Sequence, residues 1–483
     1  MHRPLAQWSR SWYLPGLPMR IAYFSPLPPS RSGIADYSAE LLPALAEHLE
    51  VEAFIEDGLK VDPALAARFA VRGHRAFPAL WEAGRYDAVL YQVGNNVDYH
   101  AGIYEMLLRY PGIVVLHEYV LHHLARGMTL VRNDMAGYIE EMRYAYGRTG
   151  QAMARRSLDT GIPLDVWTYP LFERVVDASL GVITHNDCTA QRVLASRPLT
   201  RIARVPHHLS LGEETGAPPP PRPAELRARL GIAPDAFVVA SFGFITPAKR
   251  LDVSLKAFAR LRREVPGAVY LLVGEVSPYY DFASLLTPEL SQGVVQAGRV
   301  GIDEFLHLMR VPDVAINLRY PSAGETSGTL IRLLGLGVPV IVNNTGAFSE
   351  IPDDCCAKVD LDETEEELLL AYLRRLATNE ALRLRMSENA RRHVRTHHTL
   401  AGSARGYADF IRDAAAHPEP FRPAPPLLPY PATDTFTELV SDVTAEAVDL
   451  GGGEREEDFL RELAGILVDL GFDRADRGSE LGR

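Results

Sequence analysis

DVAINLRYPSAGETSGTLIRLLGLGVPVIVNN, residues 313–344, reads as a strand, a turn of small residues, an amphipathic helix and a second strand. The apolar runs 313–321 and 338–344 are short and bounded by turn residues, as buried strands of a parallel sheet are. Between them the spacing predicts a helix over 327–336, opened by Thr326, Ser327, Gly328 and Thr329. A strand, a helix and a strand at this spacing form a βαβ unit, which places the chain in the α/β class.

The same alternation extends in both directions. AFVVASFGF (236–244), AVYLLVGEV (268–276) and GVVQAGRV (293–300) read as strands, with helices over 252–265 and 363–376. Further upstream RIAYFSPLP (20–28), DAVLYQVG (87–94), GIVVLHEY (112–119) and GVITHN (181–186) repeat the pattern. Between the two sets lies EETGAPPPPRPAE (213–225), whose four consecutive prolines make a stiff connector. Two Rossmann-like domains facing each other across a cleft are therefore expected. The first covers 19–212 with a helical insertion over 132–178, and the second covers 226–395. A helix over 396–415 is expected to close back on the first domain. Residues 1–18 read as a flexible extension, with Met19 an alternative start. Residues 416–483 read as a proline-rich segment and an acidic helical tail without a candidate site.

Bulk properties narrow the function. The 483 residues carry a formal net charge of −12, which disfavours nucleic acid as the main partner. Three cysteines, Cys188, Cys355 and Cys356, form neither a disulfide framework nor a zinc spacing, and a reducing cytoplasm is expected. No apolar run approaches the roughly 18 residues of a membrane helix, though peripheral contact stays open. Oligomeric state is left undecided.

In parallel sheets ligands bind beyond the carboxyl ends of the strands. The first strand runs into Ser32-Gly33, where glycine permits close approach of a phosphate, or simply forms an ordinary βα turn. His117 ends its strand and is read as a cleft residue, with a core histidine as the plainer alternative. The run His117-Glu118…His122 is not a zinc motif, because a five-residue offset divides the two imidazoles between helix faces. Asn95, Asn96 and His185 also follow strands and are candidate sugar or acceptor contacts, or plain caps. Lys249 and Arg250 stand just before the helix 252–265, a placement that makes sense if an anion lies between cation and helix. Glu325 precedes Thr326, Ser327 and Gly328, whose amides open a helix suited to a diphosphate while the carboxylate meets sugar hydroxyls; the plainer alternative is an N-cap box.

These motifs carry a resemblance. GFITPAKRLD (243–252), GRVGIDEFLHLMRVPDVAINLRYPSAGETSGT (298–329) and LGLGVPVIVNNTGAFSEIPDD (334–354) resemble the retaining nucleotide-sugar glycosyltransferases of group 1, related to glycogen and sucrose synthases. The resemblance covers roughly 19–415 and implies the GT-B fold, transfer of a hexose from a UDP- or GDP-sugar to a hydroxyl acceptor, possible work on a glycan or lipid-linked acceptor, and no metal or other cofactor. It implies that Lys249 holds the diphosphate, Glu325 the donor sugar and Gly33 the phosphates, with His117 beside the transferred sugar. Two departures stand out. The family's arginine after the first-strand glycine is Phe244 here, and its second acidic residue falls on Arg332 when the V-P-V end is aligned. A nucleotide-sugar epimerase, or a non-catalytic module of the same fold, remains open at this point.

Overall fold

A computed structural model of the chain describes residues 19–211 and 220–417. The extension 1–18, most of the proline stretch and the tail 418–483 lie outside the described residues, and so do the expectations attached to them.

Seven parallel strands form the first sheet: β1 (Arg20–Phe24), β2 (Glu50–Ile55), β3 (Val71–Gly73), β4 (Ala88–Val93), β5 (Ile113–Leu116), β6 (Gly181–Thr184) and β7 (Ile202–Arg204), in the order 3-2-1-4-5-6-7. Six more form the second: β8 (Val238–Phe242), β9 (Val269–Val273), β10 (Val294–Gly298), β11 (Val314–Ile316), β12 (Val340–Asn343) and β13 (Cys356–Val359), in the order 10-9-8-11-12-13. Each order reverses direction at its first strand, so each sheet has a switch point where loops diverge and ligands bind. Those points are the ends of β1 and β4, and of β8 and β11.

Strands β2, β3, β7 and β13 have no counterpart among the apolar runs of the sequence. In β2 a glutamate stands at every second position of its first half, and Glu52 is buried. Its carboxylate accepts hydrogen bonds from the Tyr86 hydroxyl at 2.6 Å and Arg85 at 2.8 Å, and also pairs with Arg72. A polar residue so satisfied sits inside a strand that hydropathy alone does not reveal.

The proline stretch ends sooner than 225. Pro223 opens the helix Pro223–Arg229, where its missing N–H costs nothing, and Glu225 accepts from the Arg222 amide at 3.2 Å. The helical insertion is also narrower than 132–178. Asn133–Leu164 falls outside the compact unit that holds the two sheets and carries the helix Met135–Thr160, which is broken at Tyr146 and Gly147 and stopped by left-handed Gly161. Residues from Asp165 onward belong with the sheets, and Phe172, Val175 and Val176 are buried in the core beside β4 and β5.

Two helices follow the second sheet, Glu380–His397 and Leu400–Ala416. The first packs under the second sheet through Ala390 and Val394. The last returns to the first sheet, where Ala404, Tyr407, Ala408, Ile411 and Ala414 share a core with Tyr37, Leu41, Leu42 and Leu45. Its apolar stripe at three- and four-residue spacing has no other surface to cover. Truncating fully buried Ile411 to Ala should cost about 2–5 kcal/mol. Denaturant unfolding checks this as a lowered midpoint at unchanged slope.

Candidate active site between the two sheets

The C-terminal side of the site begins where β8 ends. Gly243 adopts φ 94° and Gly274 φ 154°, and a Cβ on Gly274 would lie 2.0 Å from the Gly243 carbonyl oxygen. Only glycines let these two strand-end loops touch backbone to backbone. Lys249 bends into the gap. Its Nζ donates to the Phe242 carbonyl at 2.6 Å and lies 3.2 Å from where a Gly243 Cβ would be, with Thr329 Oγ1 3.6 Å from the same point. The ammonium is thus buried between β8 and the helix Gly328–Leu336, which Ser327 caps by accepting from the Leu330 amide at 3.2 Å. Burial drives the Lys249 pKa well down; Arg319 adds to the fall and Glu325 opposes it. Glu325 itself accepts from the Ala323 amide at 2.8 Å and lies 3.0 Å from Arg319 Nε, an ion pair with poorly aligned N–H.

Facing it is a cluster of rings. Tyr37, one turn into the helix Gly33–Leu45, has the imidazoles of His208, His207, His117 and His185 at 4.4, 4.8, 5.1 and 5.2 Å between ring centroids. His117 Nε2 bonds Gln92 Oε1 at 2.6 Å, and His185 Nδ1 donates to the Val205 carbonyl at 2.9 Å. Burial holds His117 and His207 well below the ordinary imidazole range and His185 at about 4, with neighbouring histidines adding to each shift. These rings are therefore neutral at physiological pH. Beside His117, burial and then Glu325 push the Glu118 carboxyl up to about 8.

Side chain and backbone bonds fasten the two sheets at this point. Asn186 Nδ2 donates to the Gly324 carbonyl at 2.8 Å and to Thr326 Oγ1 at 2.9 Å, and Thr189 Oγ1 donates to the Gly324 carbonyl at 2.8 Å. The Tyr119 amide donates to the Ala323 carbonyl at 2.9 Å. Gly324, at φ 82°, lies so close to the Tyr119 ring that a Cβ would meet it at 2.3 Å. From the other direction Glu350 accepts from the amides of Asp187 and Cys188 at 3.0 and 2.7 Å, at the start of the helix Asp187–Ser196. A carboxylate on a helix N-terminus is favoured by the helix dipole.

Residues 224–393, which hold Lys249, Glu325 and the capped helix, match the family described as glycosyl transferases group 1. Over this segment the chain is similar to the group 1 glycosyltransferases. A D-inositol 3-phosphate glycosyltransferase of Saccharomonospora viridis is 30% identical over 35% of this chain and 42% of its own length. One from Nocardioides sp. is 28% identical over 50% of this chain and 56% of its own. The chain thus spans about half the length of these relatives. Among solved structures, Anabaena HepE in complex with UDP and glucose superposes with a TM-score of 0.57 at 14% identity, covering 82% of this chain and all of HepE. Sucrose-phosphate synthase from Thermosynechococcus elongatus superposes at 0.58, again at 14% identity, over 83% of this chain and all of its own. The fold is GT-B.

Set in this group 1 frame, the expected residues divide. Lys249, Glu325, Thr326, Ser327 and Gly328 line one side, and His117 and His185 the other. Gly33 follows the cap Ser32, exposed with nothing near its Cβ position. Arg250 departs from its expected phosphate role: it is paired with Glu365, which also accepts from Asn343 Nδ2 at 2.9 Å. The anion beside this helix-start cation is the protein's own. Asn96 is the cap of the helix Val97–Arg109, accepting from the Asp98 amide at 2.9 Å. Asn95 is an internal brace, its amide donating to Glu118 Oε1 and its side-chain oxygen accepting from Leu124, both at 3.0 Å. Glu118, Tyr37, Glu40, His207, His208 and Arg319 were not singled out as site residues by sequence reasoning. The pairs HE (117–118) and HH (207–208) after strands are the signals that point to Glu118, His207 and His208.

Arg332, at the place of the second acidic residue, reaches across to Glu40 on the helix Gly33–Leu45 at 2.6 Å, and His208 Nε2 bonds the other Glu40 oxygen at 3.1 Å. Burial raises the Glu40 carboxyl, but the His208 bond and Arg332 outweigh it and hold it below the ordinary carboxylate range. Removing one partner strands a largely buried charge. Arg332→Ala should therefore destabilise by about 3–5 kcal/mol, and adding Glu40→Gln should recover part of that loss. Chemical unfolding of the two single variants and the double variant checks the cycle.

Proposed function

We propose that the chain is a retaining glycosyltransferase that moves a hexose from a UDP- or GDP-sugar to a hydroxyl acceptor. Buried Lys249 carries this reading. Its ammonium has one carbonyl partner, the Phe242 oxygen, in a site where burial disfavours its charge. A lysine left so poorly compensated is stabilised by an arriving polyanion. A diphosphate set against the first turn of Gly328–Leu336 meets both the ammonium and the helix amides. That HepE was solved with UDP and with UDP-glucose, and that the curated relatives are named glycosyltransferases, supports the same reading.

Glu325 stands beside that anion site and accepts hydroxyl hydrogen bonds from the sugar. Neutral His117 lies across from it, able to share a hydrogen bond without adding charge. As the glycosidic bond breaks, negative charge grows on the departing diphosphate, where Lys249 and the helix stabilise it. In a front-face reaction the leaving phosphate oxygen takes the acceptor's proton, so configuration is retained without a covalent intermediate. The acceptor belongs to bacterial polysaccharide or glycolipid assembly on this reading, and peripheral contact with a membrane fits it. Among the described residues no helix is long and apolar enough to cross a membrane.

Two substitutions test the assignment. Lys249→Ala should weaken nucleotide diphosphate binding by tenfold or more, about 1.4 kcal/mol, and leave nucleoside binding unchanged. Glu325→Gln should slow transfer about ten- to a hundredfold with nucleotide affinity little changed. Calorimetry with UDP, GDP, uridine and guanosine reads the first, and transfer kinetics read the second. Equal loss of nucleotide and nucleoside overturns the diphosphate role, and full-rate transfer by the Gln variant reduces Glu325 to a structural residue. Free sugar released without an added acceptor points to an epimerase instead.

A further inference from the structure

Glu118 has no part in the chemistry above, yet it lies at the same strand ends. It follows His117 directly, and the next amide, Tyr119, bonds the Ala323 carbonyl two residues before Glu325. This short path brings carboxyls from the two sheets toward each other. Oε1 of Glu118 accepts the Asn95 amide at 3.0 Å, and Asn95 is itself held by Leu124, so the carboxyl is fixed in place. Among the described residues no donor reaches Oε2.

We propose that Glu118 is a second sugar-contacting carboxyl, opposite Glu325, and that it acts as a hydrogen-bond donor. The inference rests on the donor-pocket reading of the site.

The charges around Glu118 decide its protonation. From the second sheet it faces Glu325 and Arg319; from its own sheet it meets the Asn95 amide. Arg319 lies 3.0 Å from Glu325, so one guanidinium serves two carboxyls and is spent on the other one. Burial and then the neighbouring Glu325 both favour the protonated form of Glu118. The value near 8 for Glu118 follows from the same geometry. A neutral carboxyl offers an O–H donor. Sugar hydroxyls both donate and accept, so the two groups engage different lone pairs and protons of one ring. Each bond to an uncharged hydroxyl lies in the range where loss costs several-fold in affinity.

Glu118→Gln and Glu118→Ala, compared with the unmodified chain, test this by calorimetry. The probes are UDP-glucose with UDP, and GDP-mannose with GDP, and the pair that binds the unmodified protein is carried forward. At pH 7 the Ala variant should bind the nucleotide sugar about tenfold more weakly and the Gln variant about threefold more weakly. Nucleotide affinity should hold in both. Between pH 7 and 9 the unmodified chain should lose nucleotide-sugar affinity as Glu118 gives up its proton near pH 8, while the Gln variant, which cannot ionise, should not. Should the Ala variant fail to fold, the pH profile of the near-isosteric Gln variant decides alone. Gln as weak as Ala, sugar affinity unchanged in both, a shared alkaline loss, or nucleotide affinity falling in step with the nucleotide sugar each overturns the proposal. If the unmodified chain binds neither pair, the donor-pocket reading falls first and takes this one with it.

Discussion

Everything at the cleft depends on how the loop Ala323–Thr326 is held. Its carbonyls carry bonds from Tyr119, Asn186 and Thr189 of the first sheet, so its backbone is fixed by residues far away in sequence. Buried backbone oxygens require partners, and here those partners come from the opposite domain. Once that loop is fixed, Glu325 faces Glu118, and the helix beginning at Gly328 points its first amides at the space near Lys249. Glu350, which accepts from the first turn of the helix after β6, fastens the same interface from the other side.

The second theme is charge placed in dry surroundings. Among the described residues the buried Lys249 ammonium has a single carbonyl partner, His117, His185 and His207 are neutral, and Glu118 stands beside Glu325, whose guanidinium partner is Arg319. Such groups raise the free energy of an empty site and are rewarded when an anion or a polyol arrives. The ion pairs that serve the scaffold are handled differently. Arg250 pairs with Glu365, Arg197 with Asp177 at 2.8 Å and Arg227 with Asp313 at 3.0 Å, each charge answered within the protein. Arg332 with Glu40 lies between the classes, since it joins the sheets at the margin of the donor site. Its presence explains how the chain accommodates an arginine at the family's second acidic place: the charge is answered by a carboxylate from the other domain.

The short apolar runs, the prolines at 218–221 and the small-residue helix start at 326–329 were legible directly, because strand burial, backbone restriction and helix initiation are local properties. They placed nine strands and the key residues Lys249, Glu325 and His117. Local pattern could not show β2, whose Glu52 is made acceptable by Arg72, Arg85 and Tyr86. Nor could it tell that Asn96 caps a helix while Asn95 orders Glu118, since both residues follow the same strand with the same chemistry. The pairing of Arg250 was hidden for a related reason: the anion it answers, Glu365, lies more than a hundred residues away.

By itself, then, the sequence determined the class of fold and the strand ends beside which Lys249 and Glu325 stand. Periodicity and turn chemistry act over a few residues and survive without tertiary context. Tertiary structure alone decided which cations were free for a ligand and which carboxyl keeps its proton. Those depend on distances across the cleft, where a few ångströms in a poorly solvated space change the energy of a charge more than any neighbour in the chain does.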